Sequence, residues 1–221
     1  MRSTLEELQE IYVRRATSQY GLADVTQLQH ALQAAANAEA AGEPPSMIIA
    51  SLLHDIGHMI HELGEDTLDR GIDDTHEMRG AAWLAQRFSS EVSEPVRLHV
   101  AAKRYLCGTS DYQQNLAMDS RRTLELQGGP MSAKEAASFL AEPFAEAAIR
   151  LRMICDAAKN PVAAAPPLDH FLTFVEVVAG PQDEQRAKQR LRRFSARGLR
   201  HGRRPRERGI LPDLECDTLR L

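Results

Sequence analysis

The sequence predicts an all-α fold, with one helical domain over residues 1–184 and a basic C-terminal extension over 185–221. Three observations carry that prediction. Apolar residues recur three and four apart in segment after segment, the strict alternation of a half-buried strand is absent, and no unit repeats along the chain. With 221 residues, 43% of them hydrophobic and 26% charged, the chain can bury one sizeable core but falls short of two full domains.

The elements follow in order. Leu5, Leu8, Ile11 and Tyr12 mark a first helix. Asp24 is expected to cap a second, carrying Val25, Leu28, Leu32 and Ala35, and Gly42 to stop it. Pro44-Pro45-Ser46 opens a third, which runs through Met47, Ile48, Leu52 and Leu53 into His54-Asp55. Gly64 to Thr75 reads as a polar loop, with Asp74 or Thr75 capping a helix through Trp83 and Phe88. Pro95 is expected to start the next, Val96 to Leu106. After a connector rich in Gly, Ser, Asp and Asn, MSAKEAASFLAE (131–142) and PFAEAAIRLRMICDAAK (143–159) supply two more. Ser120 and Thr123, three apart, sit at what reads as a helix start, where capping is one role for them and anion binding another.

Composition excludes several function classes. The first ten residues, MRSTLEELQE, are acidic and helix-like and carry no apolar signal core, and MIIASLL (47–53) is far too short to span a bilayer, so a cytoplasmic protein is expected, with no membrane partner. Cys107, Cys155 and Cys216 are odd in number, far apart and without CxxC spacing, which argues against a disulfide framework or a zinc ribbon. Between Gln185 and Arg208 eleven Lys or Arg face one acid, Glu207. That local balance of +10, within a chain of net charge −4, leaves −14 for the rest. The segment RAKQRLRRFSARGLRHGRRPRERG has little to bury and is expected to be disordered beyond a helical first half. A nucleic-acid-binding arm is one reading of it, but aromatic residues for base stacking are lacking, and a solvated extension outside the chemistry is preferred.

Six side chains can ligate metal: His30, His54, Asp55, His76, His99 and Asp156. Imidazole nitrogens and carboxylate oxygens suit divalent first-row ions. Ala34 and Ala38, at successive i+4 steps from His30, leave space beside its ring, and the pairs His54/His58 and His99/Lys103 share the same four-residue spacing. Asp156 lies among Leu151, Met153 and Ile154, where an unpaired carboxylate is costly to bury and coordination would remove the cost. Taken singly, each residue is more often a satisfied histidine or a surface acid than a ligand; the ordered set changes that balance.

The order His30, His54-Asp55, Asp156, with LLHDIGH at 52–58 as its centre, resembles the HD-domain metalloenzyme superfamily. His76 and His99 stand where dinuclear members carry two further histidines. The stretch from about Tyr20 to Lys159 further resembles the small mixed-valent di-iron oxygenases that cleave organophosphonates. The resemblance implies a helical HD bundle whose metal-binding core spans about 20–160 and a cofactor of two iron ions, Fe(II) and Fe(III), with O2 as cosubstrate. It implies that His30, His54 and Asp156 hold one iron, that His76 and His99 hold the other, and that Asp55 bridges them. Tyr20 would occupy the open iron position until substrate arrives, and His58, Lys103, Ser120 and Thr123 would bind the phosphonate oxygens. The implied reaction is oxidation of an α-hydroxyphosphonate, such as 2-amino-1-hydroxyethylphosphonate or an N-methylated analogue, at the carbon bearing phosphorus, with release of inorganic phosphate. Independently of the resemblance, a cationic centre with Lys103 on the ligand face favours a small anion.

Two departures limit the substrate. Ala23 stands where the aminohydroxyethylphosphonate enzyme has a glutamate for the amine, and Met153 where an arginine is expected, with Arg152 beside it. Two rival classes are a dinuclear HD phosphohydrolase acting on a nucleotide or phosphate ester, which needs neither Tyr20 nor dioxygen, and a non-catalytic binding protein, against which the six ligands argue.

Overall fold

The computed structural model describes residues 3–15, 25–60 and 70–178, all within one compact unit that spans Met1–Glu184. Tyr20, Ala23, Asp24 and the basic extension lie outside the described residues. Among the described residues there are ten α-helices and one 3-10 turn, with no strand. Helix α1 spans Thr4–Arg15, α2 Gln27–Ala40, α3 Pro45–Leu53, α4 Ile56–Ile60 and α5 His76–Ala85. They are followed by α6 at Ser90–Thr109, the 3-10 turn at Asp111–Asn115, α7 at Met118–Leu126, α8 at Ala133–Leu140, α9 at Ala145–Asp156 and α10 at Leu168–Leu172.

Local chemistry explains most of these boundaries. The N-cap of α2 is Thr26 rather than the expected Asp24: its hydroxyl accepts from the Gln29 amide and the Gln29 side chain accepts from the Thr26 amide, a capping box that satisfies two donors reciprocally. Gly42 ends the helix in the left-handed conformation, at φ +71°. Pro44 and Pro45 fill the N-cap and first position of α3, where a missing N–H costs nothing. Ser132 and Glu135 form a second capping box at α8. The polar loop ends at Thr75, as expected for the start of α5, but α5 stops at Ala85, and Phe88 is buried just beyond it.

One boundary differs from the sequence prediction. Helix α6 begins at Ser90, so Pro95 lies inside it rather than at its start. Proline removes one helical hydrogen bond in that second turn. Val92, Val96 and Pro95 itself are buried there, and tertiary packing holds a turn that propensity alone would break.

The core is layered around α3. Helix α2 packs on α3, α6 packs on α5, α3 and α9, and α1 lies against α4. Ile49, Leu52, Leu53, Ile56, Leu84, Val92, Val96 and Leu151 are almost wholly buried in the main apolar cluster. Tyr12 of α1 reaches into it, and its hydroxyl donates to the Leu52 carbonyl at 2.6 Å. This contact ties the N-terminal helix to the residue two before the His54-Asp55 pair. A smaller cluster of Leu98, Ala102, Met131, Phe139 and Ala148 joins α6 to α8 and α9. The result is a bundle whose central helices α2, α3, α5 and α6 each bring one histidine-bearing turn to the same place.

Candidate metal centre

The pair His54-Asp55 falls in a turn between α3 and α4 rather than inside one continuous helix. The ring of His54 contributes to the break: its Nδ1 donates to the Ser51 carbonyl at 2.8 Å, the acceptor that an unbroken helix would use for the Asp55 amide. The helix resumes with the His58 amide on the Asp55 carbonyl at 3.0 Å. The break aims both side chains of the pair inward, His54 at 1% and Asp55 at 7% exposure.

Four imidazoles converge on that carboxylate. His30 Nδ1 meets the Ala158 carbonyl at 2.8 Å, His99 Nδ1 the Val96 carbonyl at 2.7 Å, and His76 Nδ1 the Asp74 carboxylate at 2.9 Å. A carbonyl or carboxylate oxygen only accepts, so each Nδ1 carries its proton and each Nε2 presents a lone pair. Those Nε2 atoms face one another in two couples, His30 with His54 at 3.0 Å and His76 with His99 at 3.2 Å. The Asp55 carboxylate lies between the couples. Its Oδ2 is 3.2 Å from His54 Nε2 and 3.6 Å from His30 Nε2; its Oδ1 is 3.7 Å from His76 Nε2 and 3.6 Å from His99 Nε2.

Such a cluster is unfavourable without a cation. Lone pairs meet lone pairs, and a buried carboxylate faces acceptors. The titration behaviour reflects this strain. Burial, then the neighbouring His54, pushes His30 down to about 3. Burial, then His76, holds His99 well below the usual imidazole range. Burial acts on His54 in the same direction, but the Asp55 charge and hydrogen bond outweigh it and hold that ring well above the usual imidazole range. Asp55 in turn is held well below the carboxylate range: burial opposes this and the His54 charge prevails. Two divalent or trivalent ions, one per couple with a carboxylate oxygen toward each, fit this donor set. Donor atoms of His30, His54 and Asp55 lie within 4.8 Å of one another, as do those of Asp55, His76 and His99.

Asp156, at the C-terminal end of α9, is in neither donor cluster. Its carboxylate is paired with the Arg152 guanidinium, through Nη2 and through Nε at 2.9 Å, and with Lys159 Nζ at 3.1 Å. Burial raises its titration point against the pull of Lys159. Arg152 thus reaches inward from four residues before Asp156, while Met153, at the position where the arginine was expected, is 59% exposed. A helix advances about 100° per residue, so a one-residue shift moves a side chain from one face to another, and Arg152 is the residue on the inner face.

A second feature adjoins Asp156. Lys103, one turn beyond His99 on α6 and 2% exposed, donates to Thr123 Oγ1 at 2.9 Å. Ser120 Oγ accepts from Arg152 Nη2 and from Lys159 Nζ, each at 3.3 Å. Three cationic groups and two hydroxyls therefore share one enclosed spot, with Ser120 and Thr123 on the first turns of α7. Neither hydroxyl caps the helix: the N-cap is Ala117, without a side-chain cap. Burial, and then the adjacent Arg152 charge, lower the Lys103 ammonium to about 7.

His58 is held by Asp74 and His76. Its Nδ1 lies 2.6 Å from Asp74 Oδ2, and its ring stacks on His76 with centroids 3.9 Å apart. Sequence reading treated Asp74 only as a helix cap; an acid two residues before a candidate ligand histidine was the available signal. Gly57 and Lys159 were likewise not singled out. At Gly57 a Cβ would fall 2.0 Å from the His76 carbonyl oxygen, so only glycine lets α4 and the start of α5 approach closely enough to seat His76 beside Asp55.

No helix among the described residues is long and apolar enough to cross a membrane. No protein-family model matches the chain. It is 41% identical over 167 residues, 75% of this chain and 85% of the relative, to the [1-hydroxy-2-(trimethylamino)ethyl]phosphonate dioxygenase (glycine-betaine-forming) of Leisingera caerulea. It is 45% identical over 154 residues, 69% of this chain and 77% of the relative, to the hydroxymethylphosphonate dioxygenase of Gimesia maris. An uncharacterised protein of Acanthamoeba polyphaga mimivirus is 34% identical over 165 residues, 73% of this chain and 75% of that protein. With identities of 41% and 45% over 75% and 69% of its length, the chain belongs to the family of the hydroxyphosphonate dioxygenases.

Proposed function

We propose that this protein uses O2 and a pair of iron ions to cleave the C–P bond of an α-hydroxyphosphonate and release inorganic phosphate. The observation that carries the reading is the Asp55 carboxylate set between two couples of inward-facing Nε2 atoms, one oxygen toward each. Borderline nitrogen donors with few carboxylates suit iron, and both curated relatives with named activities are dioxygenases. The overall reaction balances: R–CH(OH)–PO3H2 and O2 give R–COOH and H3PO4, so the carbon bearing phosphorus is oxidised and both dioxygen atoms are accounted for.

When bound, the iron pair supplies the dioxygen chemistry. The chain's own groups do the rest. His30 and His54 would hold one ion and His76 and His99 the other, with Asp55 between them; by the resemblance Asp156 would join the first set and Tyr20 would stand in for substrate until it arrives. Lys103, Thr123 and Ser120 receive the phosphonate oxygens, aided by Arg152 and Lys159, which keep Ser120 oriented and add positive charge. A charge-assisted hydrogen bond in a dry site is stronger than its counterpart in water, so this cluster positions a dianion firmly. The resemblance adds a ring nitrogen of His58 to these contacts.

The iron-loaded protein is expected to release phosphate from hydroxymethylphosphonate, 1-hydroxy-2-(trimethylamino)ethylphosphonate or 2-amino-1-hydroxyethylphosphonate only when O2 is present, with uptake of about one O2 per phosphate. Release that persists under strict anoxia, or with Mg(II) in place of iron, would point to hydrolysis and overturn the reading. Lys103→Met should raise KM for the phosphonate by about 10- to 100-fold, matching the roughly 1.5–3 kcal/mol of a hydrogen bond to a charged group, with kcat less affected. Since the free Lys103 ammonium titrates at about 7, the wild-type KM should rise as pH increases through that value and the group loses its charge, and Lys103→Met should flatten that rise. Steady-state kinetics across pH 6–8.5 check both.

A further inference from the structure

One carboxylate serves two stacked imidazoles. Asp74 is 7% exposed, in the last turn of the loop before α5. Its Oδ1 accepts from His76 Nδ1 at 2.9 Å and from the His76 amide at 3.3 Å, and its Oδ2 lies 2.6 Å from His58 Nδ1. The two rings are nearly parallel, at 21° and 3.9 Å between centroids. With both Nδ1 atoms drawn to the same carboxylate, both Nε2 atoms lie on the side away from it, where His76 Nε2 meets His99. Asp74 therefore sets the rotation of a ligand ring and of a substrate-side ring together.

The backbone supports the same reading. Thr75, between Asp74 and His76, is left-handed at φ +48° and ψ +38°, a conformation that costs a side chain with a branched Cβ and persists only where its surroundings impose it. The surroundings do so: the Thr75 amide donates to Asp73 Oδ1 at 3.2 Å, and Arg79 Nε donates to the Asp74 carbonyl at 2.9 Å. A loop held in strain presents a buried carboxylate to two rings at once.

We propose that Asp74 is a positioning residue that couples the second metal site to the phosphonate pocket: it orients His76 as ligand and His58 as substrate contact. This rests on the two-ion reading of the centre. An asparagine at the position has a single acceptor oxygen and cannot take both Nδ1 protons, so Asp74→Asn releases one ring or the other. Loss of such a partner of a ligand typically costs 10- to 100-fold in metal affinity or activity.

The test uses the full chain loaded anaerobically with Fe(II), with iron per chain measured by elemental analysis across a graded chelator series, alongside kcat and KM. Wild type is expected to hold two irons. Asp74→Asn, with unchanged far-ultraviolet circular dichroism, should lose one of them at about 10- to 100-fold lower chelator while keeping the other, and should raise KM in the protein reloaded with excess iron. His58→Phe, which preserves the stack and leaves Asp74 to His76, should raise KM while both irons stay. If Asp74→Asn does not fold, Asp74→Glu, which keeps the charge but overshoots in reach, carries the same expectation. Two irons held by the Asp74 variant as tightly as by wild type would overturn the coupling alone; fewer than two in wild type would overturn the two-ion reading and the coupling with it.

Discussion

Asp55→Ala is expected to abolish O2-dependent phosphate release and to reduce iron from two per chain to at most one. The reason is geometric. Asp55 faces both couples of Nε2 atoms, so its removal would take an oxygen from each ion and leave four imidazoles without the negative charge that offsets the cations. Losing only an outer partner of a ligand costs roughly 10- to 100-fold, and losing a shared ligand should exceed that by a wide margin. Metal-free protein should also lose stability, because removing one partner of the buried Asp55–His54 pair leaves the other uncompensated. Iron analysis, kcat and thermal unfolding of the metal-free form check the three parts. A variant that keeps two irons and substantial turnover would remove Asp55 from the centre.

Gly57→Ala should be nearly as damaging without touching a ligand. The added methyl would sit 2.0 Å from the His76 carbonyl oxygen, 2.6 Å from its carbon and 2.9 Å from the His76 Cα, all of them backbone atoms at the first residue of α5. No rotamer relieves that contact, so α4 and α5 must separate by an ångström or more. Overpacking of this kind costs about 1–3 kcal/mol, and a displacement of about 1 Å in a reactive centre costs about 100-fold in rate. The variant should therefore unfold at lower temperature and lose one iron selectively, the one held through His76. A Gly57→Ala protein with wild-type turnover would mean that α5 can move without moving the site.

Much of this molecule is legible residue by residue. Helix existence follows from apolar spacing, and the ends of α2, α3 and α8 follow from capping chemistry that involves neighbours within four positions: Thr26 with Gln29, Pro44-Pro45, Ser132 with Glu135. The extent of α6 was not readable, because Pro95 argues locally for a start, and only burial of Val92 and Val96 keeps the helix intact on its N-terminal side. The register of the inward-facing arginine was half readable: Arg152 and Met153 are adjacent in sequence, and the face that α9 presents to Ser120, which also carries Asp156, selects Arg152.

The site divides along the same line. The residue types and their order, with LLHDIGH at the centre, are enough to name the six metal-capable side chains and to expect an anionic substrate. Which nitrogen is free was decided for His30 by the Ala158 carbonyl, 128 residues away, whereas Ser51, Asp74 and Val96, two or three residues before their rings, fix His54, His76 and His99. That His58 meets Asp74, and that Arg152 and Lys159 meet Ser120, depends on contacts between segments far apart in the chain. By itself the sequence determined what chemistry the chain can hold, since ligand identity, charge and helical periodicity are local properties. Only the tertiary structure decided which lone pairs meet, since the four rings come from segments far apart in the chain and converge on Asp55 only through helix packing.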